Sequence, residues 1–339
     1  MDSHKCVVRW PKWKGTMAVL SQGHSFCNAV ERKCFEGSYS DIKRNYRTRN
    51  ITEADIPKIV EIRKTLKLHD CTPSLYSFYE LDPEAIIVAE DRDGNIIGTH
   101  SMLNFANGLY ISGLTYVQQD YRKSNLALEM IRKEAVRHRL ENRLLTTFTF
   151  EAWAKNSDYI LEFQVDTGFT IKRFISTQNL DTNLLSHDLP EDVAIHAFDE
   201  KLLELVYDYD LQVAGYERRA FLDLSFKEPN SRSLVALRKD RCVGYGGIKL
   251  TCPGAKRIGP LYADDSKIAE ALMKSLLKGF DEGKGVVIVI PTPNSEAQAL
   301  VSKLNMPFKD GLYQLIEKGF PQADVSKAYA LFDLNGTSI

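Results

Sequence analysis

The chain has 339 residues, which is long enough for two ordinary domains that each bury a hydrophobic core. Charged residues make up 26% and hydrophobic residues 44%, as is usual for a folded globular protein. The net charge of −1 argues against an extended nucleic-acid surface, which needs clustered lysine and arginine. No apolar run reaches the length of a membrane span, so we expect neither nucleic-acid nor membrane partners.

The six cysteines show neither a C-x-x-C pair nor a disulfide framework. In a chain of this size they are typical of reduced thiols in a cytoplasmic protein. No Cys/His spacing typical of a metal site occurs, so no metal is predicted. Residues 1–45 lack a clear hydrophobic period, and we treat them as an N-terminal extension.

The first copy of a repeated unit follows this extension. Thr52 and Asp55 form a capping pattern at the start of a helix, and the Asp-Gly pair between two apolar runs predicts a hairpin over residues 86–98. The remaining predicted elements are strands at 46–49, 109–117 and 144–150 and helices at 126–140 and 159–165.

The second copy repeats the landmarks of the first. Gly98 recurs as Gly244 and Gly113 recurs as Gly259, with the same separation in both pairs. Asn156 recurs as Asn294 at a shorter separation, so the second copy has lost residues between these anchors. A polar linker over 179–190 divides the copies, which gives domains at 46–190 and 191–339. The second copy predicts a hairpin at 234–244, a helix at 264–277 and a strand at 286–290.

Residues 114–127 predict an anion site. An apolar strand ends there in a polar turn that contains Arg122 and Lys123, and a helix follows. Free backbone N–H groups, the helix dipole and two cationic side chains then converge at the start of the helix. The alternative is a solvated basic turn.

The same residues resemble motif A of the GNAT acyltransferases, in which a strand ending in Val precedes Arg/Gln-x-x-Gly-x-Gly/Ala and a helix. Tyr116-Val117, Arg122, Asn125 and Ala127 match this pattern. Asn156 with Phe163 and Gly168-Phe169 resembles the later Asn…Tyr…Gly-Phe segment of the family. Residues 245–249 and 258–265 resemble the second domain of the YitH-like two-domain GNAT proteins.

The resemblance implies an α+β (α/β) protein with tandem GNAT folds, each a mixed, mostly antiparallel sheet flanked by helices on both faces. It also implies an acetyl-CoA site in the first copy, with the Val117 N–H as an oxyanion-type donor. The cofactor-binding residues would be Tyr116, Val117, Arg122, Lys123, Ser124, Asn125, Leu126, Ala127 and Asn156. Asn125 replaces the usual Gly, so we expect positive φ at this position.

Candidate catalytic groups lie on the neighbouring strands and the later helix. Glu151, at the end of a strand, is the first choice for the base, and His100 is a second candidate. The family commonly supplies its acid from a Tyr at the position of Phe163, which has no proton to give. Tyr159, one helical turn earlier, is the substitute candidate, and water is the alternative proton source.

The acceptor pocket is expected after the first helix, where Tyr76 and Tyr79 are candidate wall residues that are equally compatible with the core. In the second copy, Asp264 and Asp265 stand where the first has basic residues, so this copy is not expected to bind CoA. It either covers the acceptor pocket of the first copy or is a structural duplicate.

The predicted function is that of a cytoplasmic, monomeric or homodimeric acyltransferase that moves an acetyl group from acetyl-CoA to a small amine or amino-acid-like acceptor. Two alternatives remain open. One is a catalytically weak CoA-binding pseudoenzyme or sensor, and the other is a protein N-acetyltransferase with an open peptide groove.

Overall fold

The computed structural model describes residues 45–105, 108–122, 124–141, 144–149, 164–317, 319 and 321–336. Its first half contains β1 Tyr46–Asn50, α1 Ile56–Thr65, α2 Thr72–Leu81, β2 Ile86–Asp91, β3 Ile96–Phe105, β4 Leu109–Val117, α3 Leu126–Glu141, β5 Leu144–Thr149 and β6 Gln164–Ser176. Its second half contains β7 Val193–Ala197, α4 Leu203–Ala214, α5 Arg219–Lys227, β8 Ser231–Arg238, β9 Arg241–Leu250, β10 Lys256–Ala263, α6 Ser266–Lys278, β11 Val286–Pro291, α7 Ser295–Lys303, β12 Phe308–Glu317 and β13 Ala328–Ala330.

These strands form one sheet in the order β1-β2-β3-β4-β5-β12-β6-β11-β10-β9-β8-β7, with β13 beside β10. The pairs β4–β5 and β10–β11 are parallel, whereas the neighbouring pairs are antiparallel. The predicted α+β fold with mixed, mostly antiparallel sheets is therefore confirmed.

The two halves of the chain exchange their last long strand. β12 pairs with β5 of the first half, and β6 pairs with β11 of the second half. β6 and β12 also pair with each other at the centre of the sheet. We call β1–β5 with β12 the first unit, and β7–β11 with β6 the second unit. Each unit is thus completed by a strand from the other half of the chain.

Helices cover both faces of this sheet. α3 packs on one face of the first unit, and α6 packs on the equivalent face of the second unit. On the opposite face, α1 and α2 share a single hydrophobic core with α4 and α5. Phe78 of α2 stacks near Phe221 of α5 in this core, with ring centroids 6.2 Å apart. The sides of the two units that carry their first helices therefore face each other.

Local sequence signals account for most element boundaries. The Thr52 N–H donates to Asp55 Oδ2 at 2.9 Å, as the capping pattern predicts. Gly94 has φ of 79° in the predicted hairpin turn, a backbone conformation that glycine adopts readily. One prediction is partly wrong: the helix over 159–165 lies outside the described residues up to 163, but Gln164 and Val165 belong to β6.

No helix in the described part of the chain is long and apolar enough to cross a membrane.

Candidate active site

A wedge-shaped gap opens between β4 and β5 of the first unit. The parallel ladder joins residues 109–112 to residues 144–147. Beyond it, Phe148 and Thr149 pair with β12, whereas Tyr116 and Val117 keep their pairing with β3. Among the described residues, no strand pairs with this end of β4 on the side of β5. In the described part of the chain, the C-terminal ends of these two parallel strands are thus not paired with each other.

A β-bulge in β4 lies at the narrow end of the gap. Leu114 and Thr115 lie opposite the single residue His100, because Thr99 pairs with Tyr116 and Ser101 pairs with Gly113. Leu114 has φ of 50°, which is uncommon for a residue with a side chain. The Thr99 hydroxyl donates to the Leu114 carbonyl and holds the bulge from the side of β3.

The main-chain polar groups of Val117 point into the gap. The Gln118 N–H donates to the Ile97 carbonyl of β3 at 2.8 Å, so the polar groups of the preceding residue face away from β3. Arg122 Nε donates to the Val117 carbonyl at 3.2 Å. The Val117 N–H, the predicted oxyanion-type donor, therefore faces the gap, and its catalytic role stays a prediction.

The turn before α3 contains the predicted phosphate-binding residues. Ser124 Oγ donates to the Tyr121 carbonyl at 2.6 Å and accepts a hydrogen bond from the Leu126 N–H at 3.2 Å. The side chains of Leu126 and Ala127, the first two residues of α3, are buried against the sheet, so only their main-chain groups can contact a ligand. Arg122 is half-buried beside the turn. Ser124, Arg122 and the helix start are thus brought together.

The expected positive φ at Asn125 is wrong. Among the described residues that have a side chain, positive φ occurs at Lys67, Leu114, Asn230, Lys239 and Asn305. Asn125 is exposed, and its carbonyl accepts the Glu129 N–H at 2.8 Å, so it already stands at the N-terminus of α3. Asn is among the residues preferred at this position, which explains its presence without a left-handed backbone.

Burial raises the pKa of the Tyr116 hydroxyl, and the nearby Arg122 guanidinium acts in the opposite direction. Tyr116 pairs with Thr99 and is nearly buried.

Four predicted site residues, Lys123, Glu151, Asn156 and Tyr159, lie outside the described residues, as does Phe163. Their roles stay predictions.

His100 is buried behind the bulge. Its Nδ1 lies 2.9 Å from the Thr115 hydroxyl, and burial lowers the pKa of its imidazole to about 4. The ring is therefore neutral at physiological pH. A group with this pKa is poorly matched to proton abstraction near pH 7. The catalytic role of His100 stays a prediction, and its surroundings favour packing.

The two predicted pocket tyrosines lie on α2. Tyr76 is 40% exposed on the outer side of this helix, and Tyr79 packs partly against the core. Leu75 and Phe78 of the same helix are fully within that core. The lining role of Tyr76 and Tyr79 stays a prediction.

The corresponding gap in the second unit is filled by the chain itself. β10 and β11 pair over residues 256–258 and 286–288 and then separate. β13 enters between them, where Leu261 and Tyr262 pair with Ala330 and Ala328. The Leu331 N–H donates to the Val289 carbonyl of β11 at 2.8 Å. An extended segment therefore occupies the position between the two diverging strands.

Asn294 fastens this segment at its start. Its Nδ2 donates to the carbonyls of Ser326 and Ala328, both at 2.9 Å, and to the Val325 carbonyl at 3.3 Å. Its Oδ1 accepts the Ala297 N–H at 3.0 Å and caps α7. Asn294 is the sequence counterpart of Asn156, so a motif position of the second unit holds main-chain carbonyls of β13 and the turn before it.

The acidic turn of the second unit is also satisfied internally. Asp265 Oδ1 accepts the Ile268 N–H at 2.9 Å and caps α6, as predicted from its position. Asp264 pairs with Lys327 Nζ at 3.1 Å, just before β13. The segment that fills the gap thus also brings a cation to the turn where the first unit has Arg122. The absence of CoA binding by the second unit stays a prediction.

Sequence reasoning missed β13 and the residues after it. The signal present was the apolar run over residues 328–332, which follows the last repeated strand and has no counterpart in the first copy. It was missed because a comparison of the two copies predicts a role only for residues that have a counterpart in the other copy.

Comparison with known proteins agrees with this architecture. Residues 206–330 match the sequence model of a family described as an acetyltransferase (GNAT) domain. No curated protein sequence is significantly similar to the chain.

Three solved structures are similar to most of the chain. A putative acetyltransferase from Pyrococcus horikoshii has a TM-score of 0.68 and 17% identity, with 87% of this chain and 96% of that chain covered. A GCN5-related N-acetyltransferase from Sphaerobacter thermophilus has a TM-score of 0.57 and 15% identity, with coverages of 86% and 99%. A tandem GNAT protein from the clavulanic acid biosynthesis pathway has a TM-score of 0.58 and 11% identity, with coverages of 80% and 98%.

The chain therefore has the tandem GNAT fold. Within its second half, residues 206–330 are similar in sequence to the GNAT acetyltransferase domain family. The sequence match falls on the unit whose gap is filled by β13, so the match by itself does not assign an activity to the first unit.

Proposed function

We propose that this protein is an acyl-CoA-dependent N-acyltransferase with one cofactor site, in the gap between β4 and β5 of the first unit. Acetyl-CoA is the proposed donor, and a small amine or amino-acid-like molecule is the proposed acceptor. The observation that carries the proposal is the contrast between the two gaps: one contains β13, and the other has no strand among the described residues.

The second unit indicates what such a gap accommodates. β13 is an extended segment that pairs with β10 on one side, and the Leu331 N–H directly after it bonds to β11 on the other side. A pantetheine arm is also extended and carries two amide groups. Because the two units are copies of one fold, the first gap is expected to form a groove of the same kind. The Val117 N–H and C=O face into it. The residues present therefore fit an acyl-CoA arm.

The contacts of Asn294 support a binding role for Asn156. In the second unit, Asn294 donates to main-chain carbonyls of the segment that fills the gap. Asn156, its counterpart, would donate in the same way to the carbonyl oxygens of a pantetheine arm. The diphosphate would lie at the start of α3, near Arg122 and the N–H groups that have no partner within the helix.

When bound, the cofactor would supply an acyl thioester. The chain's own part is then to hold the thioester oxygen on the Val117 N–H, to take a proton from the acceptor amine and to return one to the departing thiolate. Glu151 is proposed for the first proton transfer and Tyr159 for the second. A thiol with a pKa near 8.5 also leaves without a strong acid, so water remains sufficient for the second step.

The contacts of residues 333–336 beside the bulge favour a small-molecule acceptor over a peptide. Residues 333–336 lie against β3 and β4, where the Ser101 hydroxyl donates to the Asn335 carbonyl at 3.4 Å. The approach is so close that a Cβ on Gly113 would lie 2.3 Å from this carbonyl oxygen. Residues 333–336 thus cover this part of β3 and β4, which leaves less open surface for a peptide.

A second candidate is a CoA-binding pseudoenzyme. It is favoured by Phe163, which stands where the family commonly has its tyrosine acid. The two functions share the cofactor site and differ only in turnover.

Calorimetric titration of the full chain with acetyl-CoA tests the shared site. We expect one molecule bound per chain, with a Kd below about 1 mM. No binding up to millimolar concentration would exclude both functions, and two molecules per chain would contradict the filled second gap.

A thiol-release assay over a library of small amines then separates the enzyme from the pseudoenzyme. Glu151→Gln is expected to lower the rate at neutral pH without weakening acetyl-CoA binding. Glu282→Gln, an exposed change in the second half, serves as the matched control. Full activity of the Glu151 variant at every pH would refute the assignment of the base.

A further inference from the structure

The residues after β13 cross from the second unit to the first. We call residues 328–336 the C-terminal tail. β13 lies in the second gap, and the Phe332 carbonyl then accepts a hydrogen bond from Arg257 at 2.8 Å. Asp333 Oδ2 next accepts the Cys71 N–H at 2.6 Å, in the loop between α1 and α2 of the first unit. The tail therefore links the filled gap of the second unit to the loop between α1 and α2 of the first.

Asn335 contacts the bulge of β4 directly. Its Oδ1 accepts the Leu114 N–H at 2.9 Å. Its Nδ2 donates to Asp333 Oδ1 at 2.9 Å and also to Asp70. The bulge is thus bonded on one side by the Thr99 hydroxyl and on the other by this amide.

The two carboxylates fix the orientation of the Asn335 amide. Carboxylates accept hydrogen bonds and do not donate them, so the NH₂ group must face Asp70 and Asp333. The carbonyl end is then left to face Leu114. Asp70 is in turn paired with the buried Arg63 of α1, which lowers the pKa of the Asp70 carboxyl against the effect of burial.

The bulge matters for the site because it lies where β4 leaves β5. The ladder between these strands ends at Ser112, and the left-handed residue Leu114 follows two positions later. The direction of residues 115–117, and with it the aim of the Val117 N–H, depends on the conformation of this residue. A group that bonds the Leu114 N–H therefore acts on the site without contacting a substrate.

We infer that Asn335 is a positioning residue for the acyl-transfer site of the first unit, and that the second unit serves to hold it there. This inference rests on the proposed function. The inference also assigns a role to the filled gap. Because β13 and Leu331 are held by β10 and β11, the residues that follow reach the bulge in a fixed position.

Asn335→Ala and Asn335→Asp test the inference in the full-length protein. The alanine removes all three side-chain hydrogen bonds. The aspartate keeps the volume and an acceptor, but it loses both donations and adds a charge beside Asp70 and Asp333. We expect kcat for acyl transfer to fall on the order of tenfold to a hundredfold in both variants, with the KM for acetyl-CoA changed less than about threefold. A role in filling space alone would leave the aspartate variant fully active.

Amide hydrogen exchange gives a readout that does not depend on activity. In the wild-type protein we expect the Leu114 N–H to be protected, and in Asn335→Ala to exchange at least about tenfold faster. Ile258 of β10 should keep its rate, and Asn183→Ala, an exposed change in the linker, should alter neither amide.

Two results would overturn the inference. One is a Leu114 amide that exchanges without protection in the wild-type protein, which needs no variant to be folded. The other is a kcat within twofold of wild type in folded Asn335→Ala. Failure of the proposed function has a different signature, since the wild-type chain would then bind no acetyl-CoA while the exchange pattern stayed as expected.

Discussion

Arg122 is the described basic side chain at the turn before α3. It is half-buried, and its Nε bonds the Val117 carbonyl that faces the gap. Arg122→Glu would place a carboxylate beside the proposed diphosphate site and remove this bond. We expect the affinity for CoA to fall roughly tenfold or more, which corresponds to about 1.4 kcal/mol of binding free energy. Calorimetry at low and at high salt measures the change.

The loss should shrink as salt rises, because the repulsion is screened. Arg92→Glu, an exposed charge reversal in the β2–β3 turn, is the matched control and should leave the affinity unchanged. Equal affinities of wild type and Arg122→Glu would place the phosphates elsewhere.

His100 makes stability depend on pH. Burial lowers the pKa of its imidazole from 6.5 to about 4, so the folded state binds this proton less readily than the unfolded state. The stability of the neutral buried ring is complete above pH 6.5 and is lost as pH falls towards 4. At pH 5 the loss amounts to about 2 kcal/mol. Urea unfolding at pH 7.5 and pH 5 measures it.

We expect His100→Gln to reduce the difference in unfolding free energy between these two pH values. Part of the difference should remain, because burial also lowers the pKa of His69 to about 4. His187→Gln, in the exposed linker, controls for the loss of a histidine. An unchanged pH dependence in His100→Gln would contradict the assignment.

At the scale of elements, Asn294 both caps α7 and holds the segment of β13, and one substitution removes the second function alone. Its Oδ1 caps α7, and its Nδ2 holds three carbonyls before and within β13. Asn294→Asp keeps the cap but loses all three donations, whereas Asn294→Ala loses both. We expect amide exchange in the C-terminal tail to rise in both variants, whereas exchange of the Ala297 amide should rise only in the alanine variant, which loses the cap. Tail exchange equal to wild type in Asn294→Asp would show that Asn294 does not fasten the segment.

The positions of most individual helices and strands could be predicted from the sequence, but the pairing of strands between the two halves could not. The cap at Thr52 and Asp55, the hairpin with Gly94 and the helix after Asp265 are encoded within a few residues, so local chemistry suffices to predict them. The φ of Asn125 was wrong because a helix start satisfies Asn as well as a left-handed turn does.

The strand exchange was not predictable from the same patterns. β6 and β12 follow equivalent positions of the repeat, so each is compatible with β5 or with β11 as a neighbour. Hydrophobic alternation fixes which face of a strand is buried, not which copy it joins. The filled gap was hidden for a related reason: the apolar run over residues 328–332 does not indicate which strands it joins.

At the scale of the whole molecule, the exchange makes each unit depend on the other half of the chain. A fragment of residues 1–190 lacks β11 and β12, so β5 becomes an open edge and β6 loses both of its neighbours. A fragment of residues 191–339 lacks β6, and β11 is left with an open edge. Unpaired edges of this kind favour aggregation. We therefore expect neither fragment alone to give a soluble protein with a cooperative unfolding transition.

Co-expression of the two fragments should restore a soluble complex, because each supplies the strand that the other lacks. A protease site inserted at the exposed residues 187–188 provides the matched control. The cleaved full-length protein should keep its native mass in gel filtration and its affinity for acetyl-CoA, since the exchanged strands still hold the halves together. Two fragments that fold separately, each with its own urea transition, would contradict the exchange and would describe two independent domains joined by a linker.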